Sequence, residues 1–246
     1  QLIFATGSRS YIPSLDGAGS SNVLGFPTLR DVQAMQQHLS NIRHATVIGA
    51  GLLGVEAAAG LRARGIAVTL MHRNPVLMNR QLDATAAGIL QKALQQRGIQ
   101  VRTGCGPEKL LCNDDQRVQQ IIFHKSGRDD RQLLQTDLVI FATGIVPNKE
   151  LAQQAGIACD KGIQVNDHMQ TSVAGVFALG ECCEFSGTTY GLVAPIWDQV
   201  QVLSQVLLQQ PVTPYSEQQH LTKLKVSGLD VHSIGDFAAG EQDGCE

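Results

Sequence analysis

Six residues constrain this chain more than any others: Gly49-Ala50-Gly51-Leu52-Leu53-Gly54. The apolar run Ala45–Ile48 precedes them, and the alanine-rich stretch Val55–Arg64 follows, stopped by Gly65. A strand, a tight glycine turn and a helix in that order is the context that lifts G-x-G-x-x-G above chance. The three glycines do different things. Gly49 permits the turn, Gly51 admits a pyrophosphate to the backbone, and Gly54 allows close helix–strand packing. The helix start then offers free N–H groups and a partial positive charge to the phosphates, with Leu52 and Leu53 supplying the first of them.

The surrounding pattern agrees. Ile66–His72 reads as a second strand, Leu82–Arg97 as a helix stopped by Gly98, and Ile99–Arg102 as a third strand. The order βαβαβ predicts an α/β fold with a Rossmann-like parallel sheet. The rhythm then changes. Lys109–Leu111, Val118–His124 and Gln132–Leu134 are strand-like and separated by Asp114–Asp115 and Ser126–Asp130, which predicts a β-meander, not another helical crossover, beside the three-layer Rossmann-like sheet. Leu138–Ala142 is apolar throughout, as expected of a central strand covered on both faces. Asp31–Leu39 and Val193–Leu208 read as helices, Pro211 and Pro214 as a linker, and Lys223–Val226 with Val231–Ile234 as a hairpin.

The ribose of a dinucleotide usually meets an acid at the end of the second strand. Here that place holds His72 and Arg73, and no acid lies between Glu56 and Asp83. Arg73 and Arg80 are candidates for a 2′-phosphate, so NADPH stays open beside NADH. Glu56, on the first helical turn, suits the helix dipole and is also a candidate contact for the nicotinamide end. Two A-T-G segments, Ala5-Thr6-Gly7 and Ala142-Thr143-Gly144, each close an apolar strand on either side of this unit. Thr171–Glu181 delivers an acid, after Gly180, to the end of the apolar strand Val176–Leu179, where it can accept hydrogen bonds from polyol hydroxyls.

Other function classes are disfavoured. The formal net charge of −3 gives no basic surface to follow a phosphate backbone, so nucleic acid is not expected. No apolar run has the length to span a bilayer, and no membrane partner is expected. The six cysteines show no metal-ligand spacing, and scattered thiols point to a reducing cytoplasm. Adjacent Cys182 and Cys183 read as two buried thiols, with a strained vicinal disulfide as the alternative. The seven histidines, His72 aside, read as surface residues without a nucleophilic or metal constellation.

These pieces together resemble the FAD-dependent pyridine nucleotide oxidoreductases of the glutathione-reductase-like superfamily, over nearly the whole chain. The resemblance implies a discontinuous FAD domain with an NAD(P)H domain inserted into it. Ala5–Gly7 and Ala142–Gly144 are then the two crossings, Gly49–Glu56 the NAD(P)H fingerprint, and Thr171–Glu181 the second FAD motif. The family usually has Asp where this chain has Glu181. The implied domains are 1–42 and 149–210 for FAD, 43–148 for NAD(P)H, and 211–246 for the start of a C-terminal interface domain. Thr6, Gly7, Gly180, Glu181 and the helix start Val193-Ala194-Pro195-Ile196 fall to FAD. The wall of the NAD(P)H site falls to Ala142–Gly144.

Tyr190–Pro195, Leu221–Val231 and Gln81-Leu82-Asp83 are similar to the large subunits of NAD(P)H-dependent nitrite reductases and to the flavin-bearing electron-transfer subunits of assimilatory nitrate reductases. That resemblance favours NADH. It implies electron flow through FAD to iron–sulfur centres, and to sirohaem or molybdenum, carried by downstream regions or a partner subunit. It leaves a homodimer of the full-length protein open. The family's first FAD fingerprint precedes the point where this chain begins. The chain is therefore expected to be a fragment that binds NAD(P)H better than FAD and is inactive alone. Rubredoxin or ferredoxin reductases, NADH oxidases, and a non-enzymatic NAD(H)-sensing module remain as alternatives.

Overall fold

The computed structural model describes residues 1–26, 28–125, 127, 130–218, 222–226 and 229–233, the backbone alone at 222–226 and 229. The expected turn at Pro27, parts of Ser126–Asp130 and of Leu221–Val231, Ile234 and everything after it lie outside the described residues.

The chain opens with strands β1 (Leu2–Phe4), β2 (Ser8–Ser10) and β3 (Val23–Gly25), then helix α1 (Leu29–His38). Thr28 and Asp31 close the start of α1 reciprocally. The Thr28 hydroxyl accepts the Asp31 N–H, and the Asp31 carboxylate accepts the Thr28 N–H at 2.8 Å. Next come β4 (His44–Ile48), α2 (Leu52–Ala63), β5 (Ala67–His72), α3 (Ala84–Gln96) and β6 (Ile99–Thr103). Asp83 caps α3 by accepting the Ala86 N–H at 2.7 Å, so this helix starts two residues later than its apolar pattern suggests. The meander is β7 (Cys105–Cys112), β8 (Val118–Lys125) and β9 (Gln132–Gln135), all antiparallel. Then follow β10 (Leu138–Phe141), β11 (Ile145–Pro147), α4 (Glu150–Gln154), β12 (Ile163–Val165), β13 (Val176–Ala178), β14 (Cys183–Phe185), β15 (Thr188–Thr189), α5 (Val193–Leu207), β16 (Thr222–Val226) and β17 (Leu229–Ser233).

The chain divides into two compact units: Gln1–Arg9 with Ile145–His220, and Ser10–Gly144 with Leu221–Glu246. The larger unit holds a five-stranded parallel sheet in the order β3-β10-β4-β5-β6. Both faces of β10, an inner strand between β3 and β4, are covered. Leu138 and Ile140 enter the core shared with α2 and α3, and Val139 and Phe141 enter the core shared with the meander residues Leu110, Ile121 and Phe123. Period-two alternation thus feeds two cores from one apolar run, and the result is three layers: helices, sheet, meander.

The boundary differs from the one expected at residue 42. Val23–Gly25 pairs with β10, and Met35 of α1 is buried in the core of the larger unit, so residues 10–42 group there. A strand apolar on both faces needs a neighbour at each edge, and β3 supplies the second one for β10. Tyr215 also departs from its expected place at the head of a separate segment. It is buried in the smaller unit, edge-on to Phe185 with ring centroids 5.1 Å apart.

The smaller unit is built from shorter sheets: β1 with β13 in parallel, β12-β14-β15, and β11 with β2. Its core gathers Phe4, Ile163, Met169, Phe177, Cys182, Cys183, Tyr190 and Leu203 around these pieces. No helix among the described residues is long and apolar enough to cross a membrane.

Candidate functional site

The glycine turn ends β4, the middle strand of the parallel sheet, at its C-terminal edge and next to β10. Gly49 has φ +104°, and a Cβ there would lie 2.2 Å from the Ala142 carbonyl oxygen. A Cβ on Gly54 would lie 1.8 Å from the Gly49 carbonyl oxygen. The fold itself requires glycine at both positions. Gly51 is different. Its φ is −79°, ordinary for any residue, and a Cβ there would meet no heavy atom within 4 Å. Nothing inside the protein needs a glycine at 51; open space lies over it, at the head of a helix.

That helix start is uncapped. Gly51 is the N-cap of α2 and offers no side-chain hydrogen bond, and the first helical bond runs from the Val55 N–H to the Gly51 carbonyl at 3.0 Å. The N–H groups of Leu52, Leu53 and Gly54 therefore have no intrahelical acceptor. Free donors, the helix dipole and a glycine with room above it are the features that a pyrophosphate fits. Leu53 is exposed and Leu52 half-buried beside this space.

Glu56 lies one turn into α2. It is half-buried, has no hydrogen-bond or ion-pair partner among the described residues, and burial raises its pKa above the ordinary carboxylate value. An unpaired carboxylate near free N–H groups is a ready acceptor for an amide or hydroxyl donor.

Ala142, Thr143 and Gly144 lie against the turn from the end of β10. Ala142 donates its N–H to the Ile48 carbonyl at 2.8 Å and packs over Gly49. The Thr143 hydroxyl is committed to the Tyr11 carbonyl at 2.7 Å, and the Gly144 carbonyl accepts the Tyr11 N–H at 2.9 Å. Only the backbone and the small side chain of Ala142 face the glycine turn.

At the end of β5, His72 points into the turn rather than away from it. Its Nδ1 accepts the Ala50 N–H at 3.2 Å, and Nε2 lies 3.2 Å from the Asn79 Oδ1. Burial, outweighing the Asn79 contact, lowers its pKa, and the nearby Arg73 charge acts in the same direction as burial. Arg73, Asn79 and Arg80 are exposed beside it. His44, read from the sequence as a surface residue, is half-buried in β4 with Nε2 3.0 Å from the Thr69 hydroxyl, and burial lowers its pKa too.

In the smaller unit, Gly180 has φ +82° and donates its N–H to Gln199 Oε1 at 2.8 Å. This aims the following residue, Glu181, whose Oε2 accepts the Ser8 hydroxyl at 2.5 Å. Thr6 and Gly7 are tied elsewhere: the Thr6 hydroxyl donates to the Asn148 carbonyl at 2.6 Å, the Asn148 amide donates to the Thr6 carbonyl, and the Asn148 N–H donates to the Gly7 carbonyl. At the start of α5, Val193 is 67% and Trp197 66% exposed, and Ala194 is exposed as well.

Sequence reasoning passed over Ser8, Asn148 and Gln199. The only signal for Ser8 is its place directly after Ala5-Thr6-Gly7; Asn148 and Gln199 have none, because their partners are distant in the chain.

Cys105, Cys112, Cys159, Cys182 and Cys183 are free thiols. Burial pushes the Cys183 thiol up to about 12, which favours the protonated form. No group of three or more metal-ligating side chains exists among the described residues.

The family model for pyridine nucleotide-disulphide oxidoreductases matches residues 1–205. The chain is 40% identical, over 98% of its length, to a nitrite reductase [NAD(P)H] of Bacillus subtilis (strain 168), of which it covers 29%. It is 39% identical over 98% to an assimilatory nitrate reductase electron transfer subunit of the same organism, covering 30%. The chain thus spans about three tenths of the length of these curated relatives. Among solved structures, an NAD-dependent persulfide reductase from A. fulgidus superimposes with a TM-score of 0.86 at 25% identity, over 98% of this chain and 44% of that one. A ferredoxin reductase from Rhodopseudomonas palustris gives 0.80 at 28% identity, over 90% and 55%.

Proposed function

The chain belongs to the pyridine nucleotide-disulphide oxidoreductase family, and from that membership we propose that it handles the nicotinamide nucleotide in a flavoprotein nitrite or nitrate reductase. It takes reducing equivalents from NAD(P)H to FAD, and they pass onward to an iron–sulfur centre in another domain or subunit. The single observation that carries the reading is Gly51, a glycine with open space above it at an uncapped helix start. FAD and NAD(P)H both fit the chain: the one through an acid aimed by Gly180, the other through the glycine turn.

The roles follow from the chemistry of each group. The N–H groups of Leu52 and Leu53 hold the pyrophosphate. Glu56 accepts from the carboxamide at the nicotinamide end, and Ala142–Gly144 forms a wall with no competing side-chain polarity. Glu181, fixed by Ser8 through one oxygen, keeps the other for the ribityl hydroxyls of the flavin. The apolar start of α5, with Val193 and Ala194 exposed and Pro195 and Ile196 half-buried, is the surface offered to the flavin. Bound flavin supplies the hydride acceptor; the protein supplies position and excludes water. NADH is favoured by likeness, and exposed Arg73 offers NADPH a cation for its 2′-phosphate. A cytoplasmic enzyme, homodimeric at full length, completes the proposal.

A reductase for a redox protein or an NADH oxidase is the second reading. An NADH oxidase of Methanocaldococcus jannaschii is 35% identical over 74% of the chain. A nitric oxide reductase FlRd-NAD(+) reductase of Vibrio vulnificus is 30% identical over 97%; the nitrite and nitrate relatives are 40% and 39% identical over 98%, which favours the first.

The test is ferricyanide reduction by the full-length protein with NADH and NADPH compared, alongside Gly51→Val. A Cβ at 51 would meet no heavy atom within 4 Å, and circular dichroism checks that the valine variant folds; its KM for NAD(P)H is expected to rise at least tenfold. An unchanged KM in a folded variant removes the turn from the mechanism.

A further inference from the structure

Ala50, in the middle of the glycine turn, has both backbone polar groups bonded to the segment that follows β5. Its N–H donates to His72 Nδ1 at 3.2 Å, and its carbonyl accepts the Met78 N–H at 2.8 Å. Because Nδ1 accepts, the ring proton sits on Nε2 and is donated to Asn79 Oδ1, 3.2 Å away. Met78 reaches its position with φ +48° while 1% exposed. A bulky residue holds that left-handed conformation only where its surroundings over-determine it. The strand-end position from which an acid would read a ribose is therefore filled by an imidazole whose two nitrogens are both engaged within the protein.

We propose that His72 is a positioning residue: as a neutral hydrogen-bond acceptor it holds Ala50, and so the donors of Leu52 and Leu53, in the phosphate-accepting conformation, without itself binding the nucleotide. The inference rests on the dinucleotide reading above. The groups around the ring support a neutral imidazole. The turn presents backbone alone, β6 sets neutral Thr103 opposite His72 in register, and the following loop brings the Asn79 amide. Arg73 is the charge that acts on the ring, and it disfavours a second positive charge. A proton on Nδ1 would set a donor against the Ala50 N–H and release the turn. Were His72 instead a cation reading phosphate, acid would strengthen binding. The two roles therefore predict opposite pH trends.

The experiment measures NAD⁺ affinity of the full chain by calorimetry between about pH 8 and 5.5, a range in which NAD⁺ itself takes up no proton and histidine titrates. Hydrogen exchange at the Ala50 amide is followed without nucleotide. The wild type holds its affinity through the ordinary histidine value, because burial lowers the His72 pKa, and below that loses up to about tenfold per pH unit. His72→Asn places Oδ1 where Nδ1 stood; it retains most of the affinity at high pH, loses the pH dependence and leaves Ala50 protected. His72→Phe binds at least tenfold more weakly at every pH and exposes Ala50 to exchange. Affinity that rises with acid, or a His72→Phe protein with wild-type affinity and Ala50 protection, overturns the proposal. A wild type that binds no NAD⁺ while Ala50 exchange still follows the His72 pattern removes the dinucleotide reading and leaves the hold on the turn standing.

Discussion

The two compact units reach order by different means. The larger one has a five-stranded parallel sheet whose central residues Leu138, Val139, Ile140 and Phe141 are at most 1% exposed. The parallel pair of the smaller one, β1 with β13, leaves Leu2 53% and Ile3 43% exposed. The functional groups differ in kind as well. The larger unit offers backbone donors at a turn shaped by glycines, while the smaller offers one carboxylate that accepts from Ser8 and follows Gly180, whose N–H is held by Gln199 Oε1. A site made of backbone inherits the rigidity of its sheet. A site made of a side chain is only as fixed as its neighbours.

That contrast breaks most readily at Gly54. Gly54→Val drives a side chain into the Gly49 carbonyl and is expected to destabilise the larger unit by about 3 kcal/mol or more, whereas Gly51→Ala is expected to stay within about 0.5 kcal/mol. Urea unfolding of the two variants side by side measures the gap, and equal midpoints would show that the close approach is not rigid. Next is the core. Ile140→Ala is expected to cost about 2–5 kcal/mol, because the sheet and the helices covering that face cannot collapse fully onto the void. Leu2→Ser, at an exposed site of the smaller unit, should change stability by less than about 0.5 kcal/mol.

A smaller effect sharpens the side-chain half of the comparison. Ser8→Ala removes the hydroxyl bonded to Glu181 and is expected to weaken FAD retention by roughly 1–2 kcal/mol with NAD⁺ affinity unchanged. Flavin fluorescence reads the first and calorimetry the second; loss of both together would mean that Ser8 acts on the fold. The smallest effect comes from acid. Burial lowers the pKa of His44 in β4 and His72 in β5 below the ordinary 6.5. Folded protein then binds fewer protons than unfolded, so stability is complete above that value and declines as pH falls through it toward the lowered folded values. Hydrogen exchange resolved by unit, compared at pH 7.5 and 5.5, is expected to show faster opening in β4 and β5 at the lower pH.

Much of the larger unit was legible from residue order. Ala45–Arg64 forms the strand, turn and helix that its pattern predicts, and Leu138–Phe141 is buried on both faces as its continuous apolar run implies. The grouping of residues 10–42 with the larger unit has no signal in residue order. β3 is three residues long, Val23-Leu24-Gly25, inside a glycine-rich stretch, and three residues carry no periodicity to mark a sheet partner. Tyr215, flanked by Pro211 and Pro214, reads as linker; its burial depends on Phe185 and Tyr190, which are close only after folding. Cys182 and Cys183 are buried thiols, the simpler of their two readings.

Residue order alone determined where the backbone turns and which helix start is left uncapped. Those are local demands: positive φ at Gly49, close approach at Gly54, and a glycine rather than a capping side chain at 51. Only the tertiary structure decided which polar groups remain free for a ligand. His72 stands where an acid would bind ribose, yet its nitrogens go to Ala50 and Asn79; Thr6 looks like part of a site, yet it is bound to Asn148. A hydrogen bond between residues 22 or 142 positions apart exists because packing brings them within about 3 Å, and no local pattern of residues encodes that meeting.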